Sequence, residues 1–157
     1  MDFNMKVRVN VGDKVFDGTL REVMQINDAT LNDEFIKQPS TYAYFAALSE
    51  FAVADVEQKK LAFSVLEANL DAQKRLELKE TKVTEAVIKS AIVRDKRYQM
   101  MAEELIEAER QLGILKSFVK ALEQRKDMLI QLGASKRQEI SLHDFGINTD
   151  KVRAHNN

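Results

Sequence analysis

Residues 91–133 read AIVRDKRYQM MAEELIEAER QLGILKSFVK ALEQRKDMLI QLG, and the period of this stretch decides the fold. Every seventh residue from Ala91 gives Ala91, Tyr98, Leu105, Leu112, Val119 and Lys126. Three residues further on, the same period gives Arg94, Met101, Ala108, Leu115, Leu122 and Leu129. A seven-residue apolar repeat sustained this long predicts a helix with a coiled-coil seam. Ile88, Ile92, Ile106, Ile114, Phe118 and Ile130 lie beside the seam and widen it. A helix apolar over so much of its circumference needs more than one neighbour. It is expected to start near Thr81 or Thr84, both candidate N-caps, and to end at Leu132 with Gly133 as the left-handed residue.

Before it, residues 41–79 contain no Gly or Pro and are rich in Ala, Leu, Glu, Gln and Lys. Phe45, Leu48, Ala52, Val56, Phe63, Leu66 and Leu70 keep helical spacing, with Lys59 the one break in the stripe. Ser40 or Thr41 is the expected N-cap of this helix, which would reach roughly 58 Å. Glu80 to Thr84 is the joint, where β-branched Val83 and Thr84 weaken a continuous helix. Two long helices with a short break make an antiparallel hairpin.

Further upstream the period changes to two. Val7, Val9 and Val11 alternate with Arg8 and Asn10, Gly12-Asp13 interrupts, and Val15-Phe16 resumes before Asp17-Gly18. This predicts a β-hairpin, which must lean on something else because two strands alone are marginal in water. Thr30 to Gln38 reads as a short helix ahead of the only proline, Pro39. The tail from Ala134 has no sustained period and reads as a loose, polar segment in which Leu142, Phe145 and Ile147 make at most one local contact. The expected fold class is therefore mostly α: a long antiparallel helical hairpin with a coiled-coil seam, a small N-terminal β-hairpin, and an oligomeric state. It divides into 1–39, the β-hairpin and short helix; 40–133, the helical hairpin; and 134–157, the tail.

Composition narrows the function. The 157 residues are 45% hydrophobic and 31% charged, too apolar for disorder and more charged than a plain globular chain. Zero cysteines exclude a disulfide scaffold, a thiol nucleophile and a thiolate metal site. No apolar run reaches the ~20 residues that span a bilayer. The opening MDFNMKVRVN lacks the uncharged core of a secretory signal, so a soluble intracellular protein with no membrane partner is expected. No nucleotide-binding glycine loop, zinc-protease helix or EF-hand loop is present. His143 and His155 sit in the polar tail, and Glu103-Glu104 belongs to a solvated helix face. The chain reads as a non-enzyme without metal or cofactor.

Self-association is expected because one hairpin partner cannot cover both the seam and its flanking isoleucines. Leu105, Leu112, Leu115, Val119, Leu122 and Leu129 are the candidate oligomerisation residues. The net charge of −1 hides a gradient, acidic before residue 80 and basic after it. Lys82, Lys89 and Lys96 recur every seventh residue on the side away from the seam, with Arg94 and Arg97 nearby. Lys74, Arg75 and Lys79 precede the joint, so a helical hairpin would bring both groups to one end. The eight form a candidate DNA-binding patch. Without aromatic side chains beside it, only sequence-independent backbone contact is within its reach.

A short helix, a proline, a long helix ending in basic residues, a break and a heptad-bearing helix ending at Leu132-Gly133 follow in order. Thr84-Glu85-Ala86-Val87-Ile88-Lys89 and Ala121-Leu122-Glu123-Gln124-Arg125 stand within that layout. From Leu31 to Arg137 the chain resembles the UvsY-type recombination mediators of tailed phages. The resemblance implies a ring-like homo-oligomer that binds single-stranded DNA and remodels a single-strand-binding protein. It further implies help in loading a RecA-like recombinase, in the cytoplasm of an infected bacterium. Lys74 and Arg75 match the family's DNA-contacting basic residues, with Lys79 close by. Leu76-Glu77-Leu78 departs from the aromatic and Gly-Arg residues that often follow. The alternative is a structural or assembly coiled coil, such as a virion component or scaffold, whose basic residues only solvate the helices.

Overall fold

The structure is a computed structural model and describes residues 6–78 and 84–155, with side chains as far as residue 143. Of the expected joint only Thr84 is described, and Lys79 and Lys82 lie outside the described residues, as do the side chains of Phe145, Ile147 and His155.

Strands β1 (Lys6–Val11) and β2 (Lys14–Thr19) pair antiparallel, with Val9 opposite Phe16 and Val11 opposite Lys14. Gly12 takes φ +59° while Asp13 does not turn positive. That is the type II′ pattern, whose first central position favours glycine. Val7, Val9 and Val11 turn inward and are buried, whereas Lys6, Arg8 and Asn10 face out. Helix α1 (Leu20–Met24) follows directly, started by a capping box in which Thr19 and Glu22 satisfy each other's backbone N–H. A 3₁₀ turn at Asp28–Thr30 then leads into the long helices.

Helix α2 (Leu31–Glu77) runs antiparallel to α4 (Lys96–His155), with Phe45 beside Phe118, Lys60 near Glu109 and Gln73 bonded to Arg97. Between them in sequence, α3 (Glu85–Val93) packs Ile88 and Ile92 against Leu70 of α2. The mostly helical hairpin with its N-terminal β-hairpin is thus present, but three boundaries differ from the sequence reading. Pro39 lies inside α2 and does not divide it. Leu31, Gln38 and Phe45, one heptad apart, are buried on the same side across it, and that packing outweighs the lost backbone bond. The hydroxyls of Ser40 and Thr41 donate back to the Lys37 carbonyl at 2.9 and 3.0 Å, so neither caps a helix start.

The second long helix is broken at Arg94-Asp95, where Asp95 accepts the Arg97 N–H at 2.9 Å and starts α4. Gly133 does not end α4. It is buried mid-helix, and a Cβ there would stand 2.9 Å from the Phe35 ring. A missing side chain here serves a close helix crossing, not a left-handed turn. The backbone of the tail continues as α4 to His155, so the expected loose segment is helical.

The core lies where the β-hairpin crosses the two helices. Phe45 and Phe118 stack with centroids 5.0 Å apart and planes at 7°, and Phe16 of β2 meets both edge-on at 5.0 and 5.5 Å. Val7, Val9, Val11, Leu48, Ala52, Leu115 and Leu122 complete the cluster. Asn10 N–H donates to Gln111 Oε1 at 2.7 Å, tying β1 to α4. Leu115 and Leu122 are 0% exposed and Leu129 1%. All three are buried within the single chain, Leu115 and Leu122 under α2 and the β-hairpin, which corrects their assignment to an oligomer interface. Leu105, Leu112 and Val119 are half-buried at the edge of their row.

One charge is sunk beside this core. Arg125, 7% exposed, donates to Glu34, to Gln38 Oε1 and, at 3.1 Å, to the Gln25 carbonyl. Gln38 in turn donates to the Leu122 carbonyl at 2.7 Å. The group thus ties the chain before α2, α2 itself and α4 into one joint. Replacing Glu34 with Ala should cost about 3–5 kcal/mol, since it leaves a buried guanidinium unpaired. Replacing Glu67, whose side chain faces solvent, should stay within about 0.5 kcal/mol in denaturant unfolding. Gly113 sits mid-helix with open space where a Cβ would project, so Gly113→Ala should stabilise by about 0.5–1 kcal/mol, read as a raised unfolding midpoint.

Candidate nucleic-acid interface at the helical joint

The end of the hairpin where α2 gives way to α3 and α4 gathers the basic residues singled out by their spacing. Six of the eight are described: Lys74 and Arg75 on the last turn of α2, Lys89 on α3, Arg94 in the following turn, and Lys96 and Arg97 at the start of α4. Ion pairs and hydrogen bonds bring the two runs together. Arg75 donates from Nη1 and Nη2 to the two carboxylate oxygens of Glu85 at 2.9 and 2.8 Å, and from Nε to Asp71 at 2.7 Å. Arg97 donates to Gln73 at 3.0 Å, and Lys74 reaches Glu77 at 2.9 Å and Asp95 at 4.0 Å. The fold thus places residues some twenty positions apart on one surface.

The same geometry divides the cations into two groups. Arg75, Arg97 and Lys74 are engaged by carboxylates of the protein itself. Its hydrogen bonds to Glu85, then to Asp71, hold the Arg75 guanidinium above its ordinary value. Arg75 likewise lowers Glu85, and Lys74, with Gln73 behind it, lowers Glu77. Asp95 is pulled down to about 2, first by the Arg97 side chain and then by its backbone N–H. Lys89, Arg94 and Lys96 are exposed and have no ion pair among the described residues. Arg94 was expected at a seam position. It stands instead in the α3–α4 turn, because Asp95 ends the heptad run there by starting a new helix.

Tyr98 is occupied, its ring 4.8 Å from Phe63 beside the Leu70–Ile88–Ile92 cluster. Its ring is thus engaged in packing within the hairpin. Between residues 71 and 97 the sequence holds eight Lys or Arg against five Asp or Glu, so the joint carries a modest positive excess. Midway along the hairpin the charge has the other sign. A groove of about 630 Å³ beneath β1 is lined by Asp55, Glu103, Glu104 and Glu107, with Lys59 the one cation on its wall among the described residues. Among the described residues no group of three His, Asp or Glu is arranged to hold a metal ion. No described helix is long and apolar enough to cross a membrane.

Sequence reasoning missed Asp95 and the Arg125 joint. Asp95 carried a signal, an Asp just ahead of a helix, which the heptad reading passed over. Arg125 and Gln38 carried none, since a buried polar pair has no period of its own. Comparison with protein-family models, with curated proteins and with solved structures finds no match.

Asp95 has a folded-state value below its ordinary one, so its contribution to stability is present above pH ~4 and is lost as pH falls toward 2. A carboxyl-detected NMR titration should place its midpoint near 2 in the native chain. In Arg97→Ala the midpoint should climb back toward 3.8. An unchanged midpoint would remove Arg97 from the cap.

Proposed function

We propose that this protein binds the backbone of single-stranded DNA at the α2–α3–α4 joint and acts as a recombination mediator. In that role it would work as a homo-oligomer that helps load a RecA-like recombinase onto strands held by a single-strand-binding protein, inside an infected bacterial cell. The observation that carries the reading is the convergence of Lys74 and Arg75 with Lys89, Arg94, Lys96 and Arg97 at one end of a helical hairpin. The resemblance from Leu31 to Arg137, in which Lys74 and Arg75 match the family's DNA-contacting residues, supports the same reading. Binding of this kind is electrostatic and indifferent to sequence, since contacts from lysine and arginine to backbone phosphates carry no base information.

A second reading, a structural or assembly coiled coil without DNA, draws on one specific observation. Arg75 and Arg97 already spend their donors on Glu85, Asp71, Asp95 and Gln73. The two readings part on what those carboxylates do. If the patch binds phosphate, Glu85 and Asp71 are competitors for Arg75, and neutralising them strengthens binding.

Anisotropy with a fluorescent oligothymidine at two salt concentrations decides between them. The log–log slope should be near −0.7 per phosphate neutralised. Glu85→Gln with Asp71→Asn should tighten binding several-fold, and Lys89→Glu with Lys96→Glu should weaken it by tenfold or more. Lys116→Glu with Lys120→Glu, well along α4, should change it little. Equal losses from both lysine pairs, or no binding at low salt, favour the structural coiled coil.

A further inference from the structure

The face of α2 turned away from the core carries a second heptad seam. One row reads Tyr44, Phe51, Gln58, Val65 and Ala72, and the row three residues on reads Ala47, Ala54, Leu61 and Ala68, preceded by Ser40. All ten are exposed, Phe51 by 50%, Leu61 by 68% and Val65 by 53%, and none is charged. This strip is separate from the buried Phe45–Leu48–Ala52–Val56 side and runs about 48 Å along the helix. Its planar footprint, one helix wide, is roughly 500 Å² before interdigitation is counted. That is the order of the ~800 Å² per partner of a specific interface.

We propose that this strip is the contact between two copies of the chain, packed antiparallel about a two-fold axis near residue 56. The inference is independent of DNA binding. Size and charge select the arrangement. The register that pairs both ends of the uncharged strip sets Tyr44 against the partner's Ala68 and Ala47 against the partner's Val65. It also sets Ser40 against the partner's Ala72. Large residues meet small ones, as interlocking helices require, and Phe51 meets the partner's Leu61 on either side of the axis. A shift of one heptad either leaves Ala68 and Ala72 unpaired or brings Arg75 into the seam.

The carboxylates bordering the strip are neutralised by lysines of the same helix, so the size match decides the arrangement. Asp55 and Glu57 flank the strip at the axis, and each is already paired within its own helix, Asp55 with Lys59 at 2.6 Å and Glu57 with Lys60 at 3.1 Å. A parallel pairing would set Phe51 against the partner's Phe51 and Ala47 against the partner's Ala47, large on large and small on small. Lys14 lies over the Phe51 ring at 4.6 Å and marks where the β-hairpin borders the seam; its Nζ also bonds Asp13 at 3.2 Å, so the side chain has a second partner if it is displaced.

Sedimentation equilibrium of the full chain over a wide concentration range should return a dimer, or an even multiple, of the 18.0 kDa chain. Phe51→Glu with Leu61→Glu should halve the mass while circular dichroism keeps its helical signal, since both side chains are exposed in the single chain. The chain has no cysteine, so pairs can be introduced cleanly. Ala47→Cys with Val65→Cys should oxidise to a covalent dimer, and Ala47→Cys alone should not. A monomer at every concentration, an odd-numbered assembly, or full mass in the double glutamate variant overturns the proposal. So does ready cross-linking by Ala47→Cys alone, the mark of a parallel pair.

Discussion

The Phe45–Phe118 stack, closed edge-on by Phe16, is the contact on which the rest of the molecule depends. Each of its rings comes from a different element: Phe16 from β2, Phe45 from α2, Phe118 from α4. Ring pairs of this kind contribute about 0.5–1.5 kcal/mol beyond the area they bury. Their larger consequence is positional. With Phe16 seated, the valine face of β1 falls on Leu48, Leu115 and Leu122, and a two-stranded ribbon that is marginal alone gains a floor. The helices gain a roof in return. Asn10 to Gln111 fixes the strand edge, and the Arg125 joint fixes the segment that links the ribbon to α2. Three separate stretches of chain are thereby locked to α4 between Gln111 and Arg125.

That geometry explains which parts of the fold were legible in the sequence. Val7-Val9-Val11 and the Phe45-to-Leu70 stripe announce their elements because each buries one face at its own period. The row Ala108, Leu115, Leu122 and Leu129 announces itself equally well, but the partner it meets cannot be read from a period. A heptad row looks the same whether a second chain or a β-hairpin covers it. Pro39, Gly133 and Asp95 mislead for a related reason. Local preference places a break at the proline and the glycine, yet Leu31 and Gln38 carry α2 through Pro39, and the Phe35 ring needs the space that Gly133 leaves. Asp95 is the reverse case, a local cap that interrupts a repeat. The outer strip of α2 escapes notice because alanine and serine fill much of it, and a stripe of small residues has little hydrophobic contrast.

Of the candidate site, spacing reveals the cations and the fold reveals their company. Arg75 and Glu85 are ten residues apart, and nothing in their sequence context indicates that a helical turn and a joint bring them to 2.8 Å. The basic end, the acidic groove under β1 and the uncharged outer strip of α2 occupy different parts of one hairpin. A strand of nucleic acid would be drawn to the first and repelled by the second, while the third remains free for another copy of the chain.

The central claim is that the α4 row is covered within one chain, by the β-hairpin and α2, and not by assembly. Hydrogen exchange of the α4 amides between Ala108 and Leu129, followed on dilution through the range where assembly dissociates, tests it most directly. The account predicts that their protection stays at the level of global unfolding and does not change with protein concentration. Protection that falls away on dilution would mean that a second chain covers Leu115 and Leu122, and the fold described here would not be that of the single chain.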